Sequence, residues 1–177
     1  MPGIAMKKGV VTELQRQVSA ELENAHRYLA LAVWCHDQNL KGFARYFSKQ
    51  AAEERGHAQK FMEHLLDRGV MPRLTALPAP KVDYKDLAEV AETAQKLEQE
   101  TTAEIYACYK AALKDEDPAA QILLQWFISE QVEEENWTDE MVARVDRASC
   151  AGAMEELDRH IEKHLDEEGV KAGGEAG

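Results

Sequence analysis

The chain has little that would break a helix and little that would build a disulfide framework. Its 10 glycines and 5 prolines in 177 residues gather between periodic segments filled by Ala, Leu, Glu, Lys and Gln, a composition that favours an all-helical protein. The 3 cysteines, Cys35, Cys108 and Cys150, are odd in number and contain no CxxC pair, so they read as reduced thiols. Positive charge is also scarce: 21 Lys and Arg stand against 33 Asp and Glu, a formal net charge of -12. The basic residues are dispersed, so no nucleic acid is expected as partner, and cations are the fitting small partners. Residues 1–8 hold no apolar run of signal-peptide length and no segment approaches a membrane span, so a soluble cytoplasmic protein with no membrane partner is expected. The length suits one domain with a sizeable core.

The spacing predicts an N-terminal extension over 1–8 and then four long helices over 9–147. The first begins between Gly9 and Thr12, where Thr12-x-x-Gln15 has the form of a capping box, and runs to about Asp37. Its apolar stripe is Leu14, Val18, Glu21, Ala25, Tyr28, Ala32, with Leu22 and Leu29 alongside. The second, with Asn39 as N-cap, spans about Leu40 to Arg68, and Gly69 stops it. A proline-bearing connection, Val70 to Val82, follows. About 13 extended residues reach roughly 43 Å, the length of a helix of about 29 residues, so this segment can return along a whole bundle and leave helices two and three parallel. Asp83 is read as the cap of a third helix to about Lys114, striped by Leu87, Ala91, Ala94, Glu98, Thr101, Ile105, Cys108 and Ala112. Asp117-Pro118 starts a fourth to about Arg147, with Leu123, Trp126, Glu130, Glu133 or Glu134, Trp137 and Met141 on its seam. A short fifth helix over 148–168 and a small-residue tail over 169–177, expected to be disordered, complete the chain.

The feature around which the chain is organised is Glu53-Glu54-Arg55-Gly56-His57. Phe43, Phe47, Gln50, Glu54, His57, Phe61 and Leu65 follow at spacings of three and four, so Glu54 and His57 share a face that should be buried. Burying a carboxylate without a partner costs several kcal/mol, and a metal ion is an economical partner. Gly56 costs the helix roughly 1 kcal/mol relative to Ala, and marks either a close backbone approach or nothing. Four long helices each carry a carboxylate near the middle of the face that meets the others. Glu21, Glu54, Glu98 and Glu134 together would balance two divalent ions, with His57 adding a neutral nitrogen. Oxygen donors with one imidazole suit iron or manganese. Di-iron carboxylate bundles bring a Glu from two helices and Glu-x-x-His from each of the other two. Here the fourth helix offers Glu130, Gln131, Glu133 and Glu134 without a histidine, so the second metal position should be oxygen-rich and weaker. That asymmetry favours releasing iron over holding it for repeated redox chemistry.

From the first helix to the fourth, the chain resembles the ferritins, and specifically the non-haem bacterial type. The resemblance is carried by Glu21 with Tyr28, Glu54-Arg55-Gly56-His57, Leu97-Glu98-Gln99 and the run Leu124 to Gln131. It implies a ferritin-like four-helix bundle with a long crossover between helices two and three. It also implies a ferroxidase centre with Glu21, Glu54 and His57 on the first iron. Glu54, Glu98 and Glu134, with Gln131 close by, would surround the second. A third, more exposed iron site from Glu53, Glu130, Glu133 and Glu134 and a one-electron role for Tyr28, with Trp126 nearby, are further implications. So are oxidation of Fe(II) by O2 or H2O2, mineral storage, and a homo-oligomeric cage of 24 subunits. Arg55 stands where bacterioferritins use a methionine for haem, so no haem is expected. The segment Ala119 to Leu124 lacks the acidic residues that line animal ferritin channels, which leaves the iron entry route open.

A non-storage di-iron peroxidase or oxidase of the rubrerythrin kind is the alternative, disfavoured by the absence of CxxC and of a second Glu-x-x-His. A DNA-protecting mini-ferritin is disfavoured by the acidic balance. A bundle of solvated glutamates serving only protein binding is the third reading. Glu23-x-x-His26 lies roughly opposite Glu21 and reads as a solvated pair, while His160 and His164 have metal-binding spacing. Trp34, Trp126, Trp137, Tyr106 and Tyr109, at helical spacings, read as core or interface rather than as a redox relay.

Overall fold

The computed structural model describes residues 5–148 and 150–174, the last of these (164–174) by backbone alone. Five helices follow one another: α1 Lys8–Asp37, α2 Lys41–Asp67, α3 Leu87–Lys114, α4 Pro118–Arg147 and α5 Ala151–Gly174. Along α1 the partners on α3 run backwards: Arg16 meets Glu104 at 2.9 Å, Asn24 meets Thr101 at 2.8 Å, and Tyr28 meets Glu98. α1 and α3 are therefore antiparallel. Tyr46 against Trp137 and Phe61 against Phe127, with ring centroids 5.6 and 4.1 Å apart, show the same for α2 and α4. The connection between α2 and α3 climbs alongside α1. Gln15 Nε2 donates to Met71 O at 2.9 Å, Ser19 and Thr75 hydroxyls meet at 3.2 Å, and Trp34 packs edge-on against Tyr84. That path returns the chain along the bundle and leaves α2 and α3 parallel.

The helix ends depart from expectation in an informative way. Thr12 is already inside α1, its hydroxyl bonded back to Lys8 O at 2.9 Å. Gln15 pins the connection rather than closing a capping box, accepting from Arg73 N–H at 2.8 Å. Asn39 adopts φ 60° and turns the chain instead of capping α2. The N-cap of α3 is Asp86, whose carboxylate accepts from Glu89 N–H at 3.0 Å, and not Asp83. Asp117 caps α4 through Ala120 N–H at 3.1 Å with Pro118 following, and Gly69 ends α2 with φ 75°. α5 continues to Gly174, past the Glu168 expected as its end. One interior glycine costs a helix only about 1 kcal/mol, so Gly169 alone does not stop it. Residues 175–177 of the expected tail, like 1–4 of the extension, lie outside the described residues.

The seams of α1, α2 and α3 bury every residue assigned to them; Leu29, placed alongside the α1 seam, is 44% exposed. On α4 the buried residues are Ala120, Leu124, Phe127, Gln131, Thr138, Met141 and Val145, a seam displaced from the one read through Trp126 and Glu130; Trp126 is 40% exposed. The apolar core falls into two clusters. One gathers Tyr28, Leu31, Phe43, Phe47 and Val90; the other gathers Leu14, Val18, Phe61, Leu65, Ile105 and Phe127. Between them lies a buried polar layer of Glu21, Asn24, Gln50, Glu54, His57, Glu98, Thr101 and Gln131. Among the described residues no helix is long and apolar enough to cross a membrane, and the 3 cysteines are free.

Candidate metal centre

The polar layer exists because each helix places a long acidic or amide side chain at the one level where its apolar spacing is interrupted. Glu54 and His57 are three apart on α2 and lie on one face, with Glu54 Oε2 3.3 Å from His57 Nδ1. Glu21 on α1, fully buried, brings its Oε2 to 4.0 Å from the same nitrogen. The donor atoms of these three residues all lie within 4.8 Å of one another. Two donors about 2.1 Å from one cation stand at most about 4.2 Å apart, so the 3.3 and 4.0 Å separations are those of a site nearly closed around an ion. Glu21 Oε2 is buried and has no hydrogen-bond partner. A buried oxygen left in that state costs free energy unless a cation faces it. The set of two carboxylates and one imidazole fits iron, and does not fit the thiolate set of a structural zinc site.

On α3, Glu98 is nearly fully buried and both its oxygens are engaged. Tyr28 OH donates to Oε1, and Gln131 Nε2 donates to Oε2 at 3.1 Å. Gln131 also reaches Glu98 O and Thr102 Oγ1, each at 3.3 Å. Burial, followed by the charge of Glu98, holds the Tyr28 phenol well above its ordinary range, so it remains a donor. Burial likewise raises Glu98, although the hydrogen bonds from Tyr28 and Gln131 oppose it.

The remaining carboxylates are linked by their fields. Glu21 is raised well above the ordinary carboxylate range by burial and then by the charge of Glu54. Glu54 is pushed up to about 8, chiefly by burial, and feels Glu98, Glu134 and Glu53 as well. Glu134, only partly buried, is also pushed up to about 8 by burial and by the charges of Glu98, Glu53 and Glu130. Glu54 thus interacts electrostatically with Glu21 and with Glu98 and Glu134. Glu53 is held by Gln50 Nε2 at 2.9 Å and by Lys49 Nζ at 3.6 Å. Glu130 is half-buried and Glu133 is exposed.

Several residues around the site carried no signal as ligands in the sequence. Gln17, fully buried one turn before Glu21, donates to Glu21 Oε1 at 2.9 Å. Phe127 packs its ring edge-on against His57, centroids 5.4 Å apart, and stacks on Phe61. Trp126 also meets His57 edge-on at 5.7 Å, with Lys60 Nζ 3.8 Å from its ring centroid. The resemblance places Trp126 near the centre, and the spacing of Gln17 to Glu21, four residues on one helix, could have pointed to Gln17; the Phe127 contact had no such signal. Outside the centre, Glu23 pairs with Arg27 and His26 is exposed. His160 is exposed, and the His164 side chain lies outside the described residues.

Comparison with known proteins identifies the family. A family model for the ferritin-like domain matches residues 11–148. The bacterial non-heme ferritin of Staphylococcus saprophyticus is 38% identical over 130 residues, 73% of this chain and 78% of that protein. The bacterial non-heme ferritin of Staphylococcus aureus is 37% identical over 131 residues, 74% of this chain and 79% of that protein. Among solved structures, an open pore ferritin from the hyperthermophilic archaeon Archaeoglobus fulgidus superimposes with a TM-score of 0.86 at 28% identity, covering 89% of this chain and 98% of that one. A closed form of the same ferritin, engineered by mutagenesis, gives a TM-score of 0.86 at 29% identity over 89% and 97% of the two chains. With the match spanning all four bundle helices, this chain belongs to the ferritin family.

Proposed function

We propose that the protein stores iron, oxidising Fe(II) at a di-iron centre inside each bundle and depositing the ferric product as mineral inside a closed cage. The observation that carries this reading is the assembly of Glu21, Glu54 and His57 within 4.8 Å, in a buried layer that divides the apolar core. These three residues hold the first Fe(II). Glu54 bridges to the second, which Glu98 and Glu134 bind with Gln131 beside them. Two Fe(II) together supply the two electrons that reduce O2 to hydrogen peroxide, or H2O2 to water. Tyr28, which donates a hydrogen bond to Glu98, is the candidate one-electron donor, supplying the second electron to the oxidant when only one Fe(II) is bound. Glu53, Glu130, Glu133 and Glu134 form a more exposed third position on the way to the mineral. One imidazole for two metals makes the second position the weaker one, which suits passage of iron rather than its retention.

The cage is a homo-oligomer of 24 cytoplasmic subunits in this reading. An exposed apolar row supports association: Leu29 and Val33 on α1 are 44% and 63% exposed, and Val82 of the connection, 59% exposed, lines the same groove. Such a row is of the kind that another subunit covers. Aerobic Fe(II) oxidation by the purified protein, compared with Glu54→Ala and His57→Ala, tests the centre; equal rates in all three would sink it. Size-exclusion chromatography and electron micrographs of iron-loaded protein test storage. A dense core in a round shell is expected, whereas a dimer without a core would favour a rubrerythrin-like oxidase.

A further inference from the structure

The two oxygens of Glu21 are not equivalent. Oε1 accepts from Gln17 Nε2 at 2.9 Å, while Oε2 has no donor and faces His57 Nδ1 at 4.0 Å. Gln17 itself is fully buried, and its carbonyl oxygen faces Cys108 Sγ at 3.8 Å. Cys108 lies in the apolar cluster beyond, also 3.6 Å from Glu13 O. Burial pushes its thiol up to about 12, so it keeps its proton, and its one S–H can be given to either of these carbonyl oxygens. The Gln17 amide is thus constrained at both ends. Turned over, it would set its oxygen against the ionised Glu21 carboxylate that a cation requires, and exchange the contact from the S–H for a weaker N–H contact to sulfur.

We propose that Gln17 is a positioning residue that makes Glu21 a one-oxygen ligand, with the Cys108 S–H setting which way the Gln17 amide faces. The proposal rests on the reading of Glu21, Glu54 and His57 as the first iron site. By occupying Oε1, Gln17 keeps Glu21 from turning both oxygens onto the cation. A coordination position is then left for oxidant or water, and the ion is held loosely enough to pass on. Freed from Gln17, Oε1 would be a buried oxygen without a donor, and the cation is the nearest group able to satisfy it.

Cobalt(II) is the probe, because its visible absorption weakens as its coordination number rises. The full-length protein is titrated with Co(II), and its bands, affinity and melting temperature are recorded for each variant. Gln17→Met is expected to show weaker, shifted bands for the first equivalent and about tenfold higher affinity, because Glu21 then turns both oxygens onto the ion. Cys108→Ala should move the bands in the same direction by less, and Cys108→Ser, which restores a donor, should return them to the wild-type position. A Gln17→Met protein that melts earlier but shows wild-type bands and affinity would make Gln17 merely structural and overturn the proposal. Should that variant not fold, Cys108→Ala and Cys108→Ser decide it, and identical wild-type spectra for both overturn it equally. Wild-type protein that takes up no Co(II) refutes the underlying site instead, a result separable from any difference between variants.

Discussion

Asp158 of α5 accepts a hydrogen bond from Phe43 N–H at 2.9 Å, and so caps the N-terminus of a helix 115 residues earlier in the chain. The same device occurs at the other end of the bundle, where Asp115 Oδ2 accepts from Val10 N–H at 2.7 Å. Neither α1 nor α2 has a side-chain cap of its own, since their N-cap positions are Lys7 and Leu40. In both cases the sequence reads Lys-Gly followed by an apolar residue, Lys8-Gly9-Val10 and Lys41-Gly42-Phe43. The glycine leaves room for the incoming aspartate, and the third N–H of the helix receives it.

The two glycines should not tolerate alanine equally. A Cβ on Gly42 would sit 2.0 Å from the backbone oxygen of Asp158, which cannot move unless α5 moves. A Cβ on Gly9 would meet the far end of the Asp115 side chain at 2.6 Å, which can swing away. Gly42→Ala is expected to cost about 1–3 kcal/mol through overpacking. Gly9→Ala should come out near zero, its lost cap offset by the roughly 1 kcal/mol helix gain of alanine. Urea denaturation of the two variants beside wild type measures the difference, and equal losses would argue against a rigid α2–α5 contact.

Gly56 offers the opposite case. It lies within α2 between the site residues, yet a Cβ there meets nothing within 4 Å. The glycine serves no close backbone approach within the subunit. Gly56→Ala should therefore stabilise the protein by about 1 kcal/mol with little effect on metal uptake. Denaturation midpoints check the first expectation and Co(II) titration the second.

How much was legible follows from where the determinants sit. On α1, α2 and α3 the seam is written in apolar residues at helical spacing, and a glutamate in such a row is conspicuous, so Glu21, Glu54 and Glu98 could be read directly. On α4 the true seam runs through Gln131 and Thr138, residues that look like surface by hydropathy, while Trp126 beside it looks like core. Tertiary caps are invisible to local reading: Asp115 and Asp158 act on helices more than 100 residues away, and Gln15, placed as a local cap, instead serves the distant segment at Met71 and Arg73. Gln50 stands in the buried row of α2 and Gln131 enters through the resemblance, but Gln17 and the contacts that all three amides make could not be read from hydropathy. Their role depends on burial, which their chemistry does not announce.

Phe127 joins the site to the core beneath it. Its ring stacks on Phe61 with centroids 4.1 Å apart and stands edge-on to His57 at 5.4 Å. Phe127→Ala would open a cavity costing about 3–5 kcal/mol and remove the wall that fixes the imidazole. Denaturation should record that loss, and affinity for the first metal should fall roughly tenfold. Phe127→Leu, which retains most of the volume, should recover the greater part of both. A stability loss without any change in affinity would show that the imidazole is oriented by Glu54 alone.

The buried carboxylates also set a proton balance. Glu54 and Glu134 are pushed up to about 8, so at pH 7 each is largely protonated in the metal-free protein, although both would be ionised in the unfolded chain. The folded state therefore binds more protons than the unfolded one between about pH 4.5 and about 8, and the stability of the metal-free protein should fall as pH rises through that interval. Divalent ions need the ionised forms, so binding at pH 7 must expel protons. Calorimetry in buffers of differing ionisation enthalpy should show proton release near pH 7 that declines above about pH 9, with affinity rising as pH rises toward 8 and levelling beyond it. Metal binding at pH 7 without proton release would mean that these carboxylates are already ionised in the metal-free pocket, and that the charge within the polar layer is balanced by other groups.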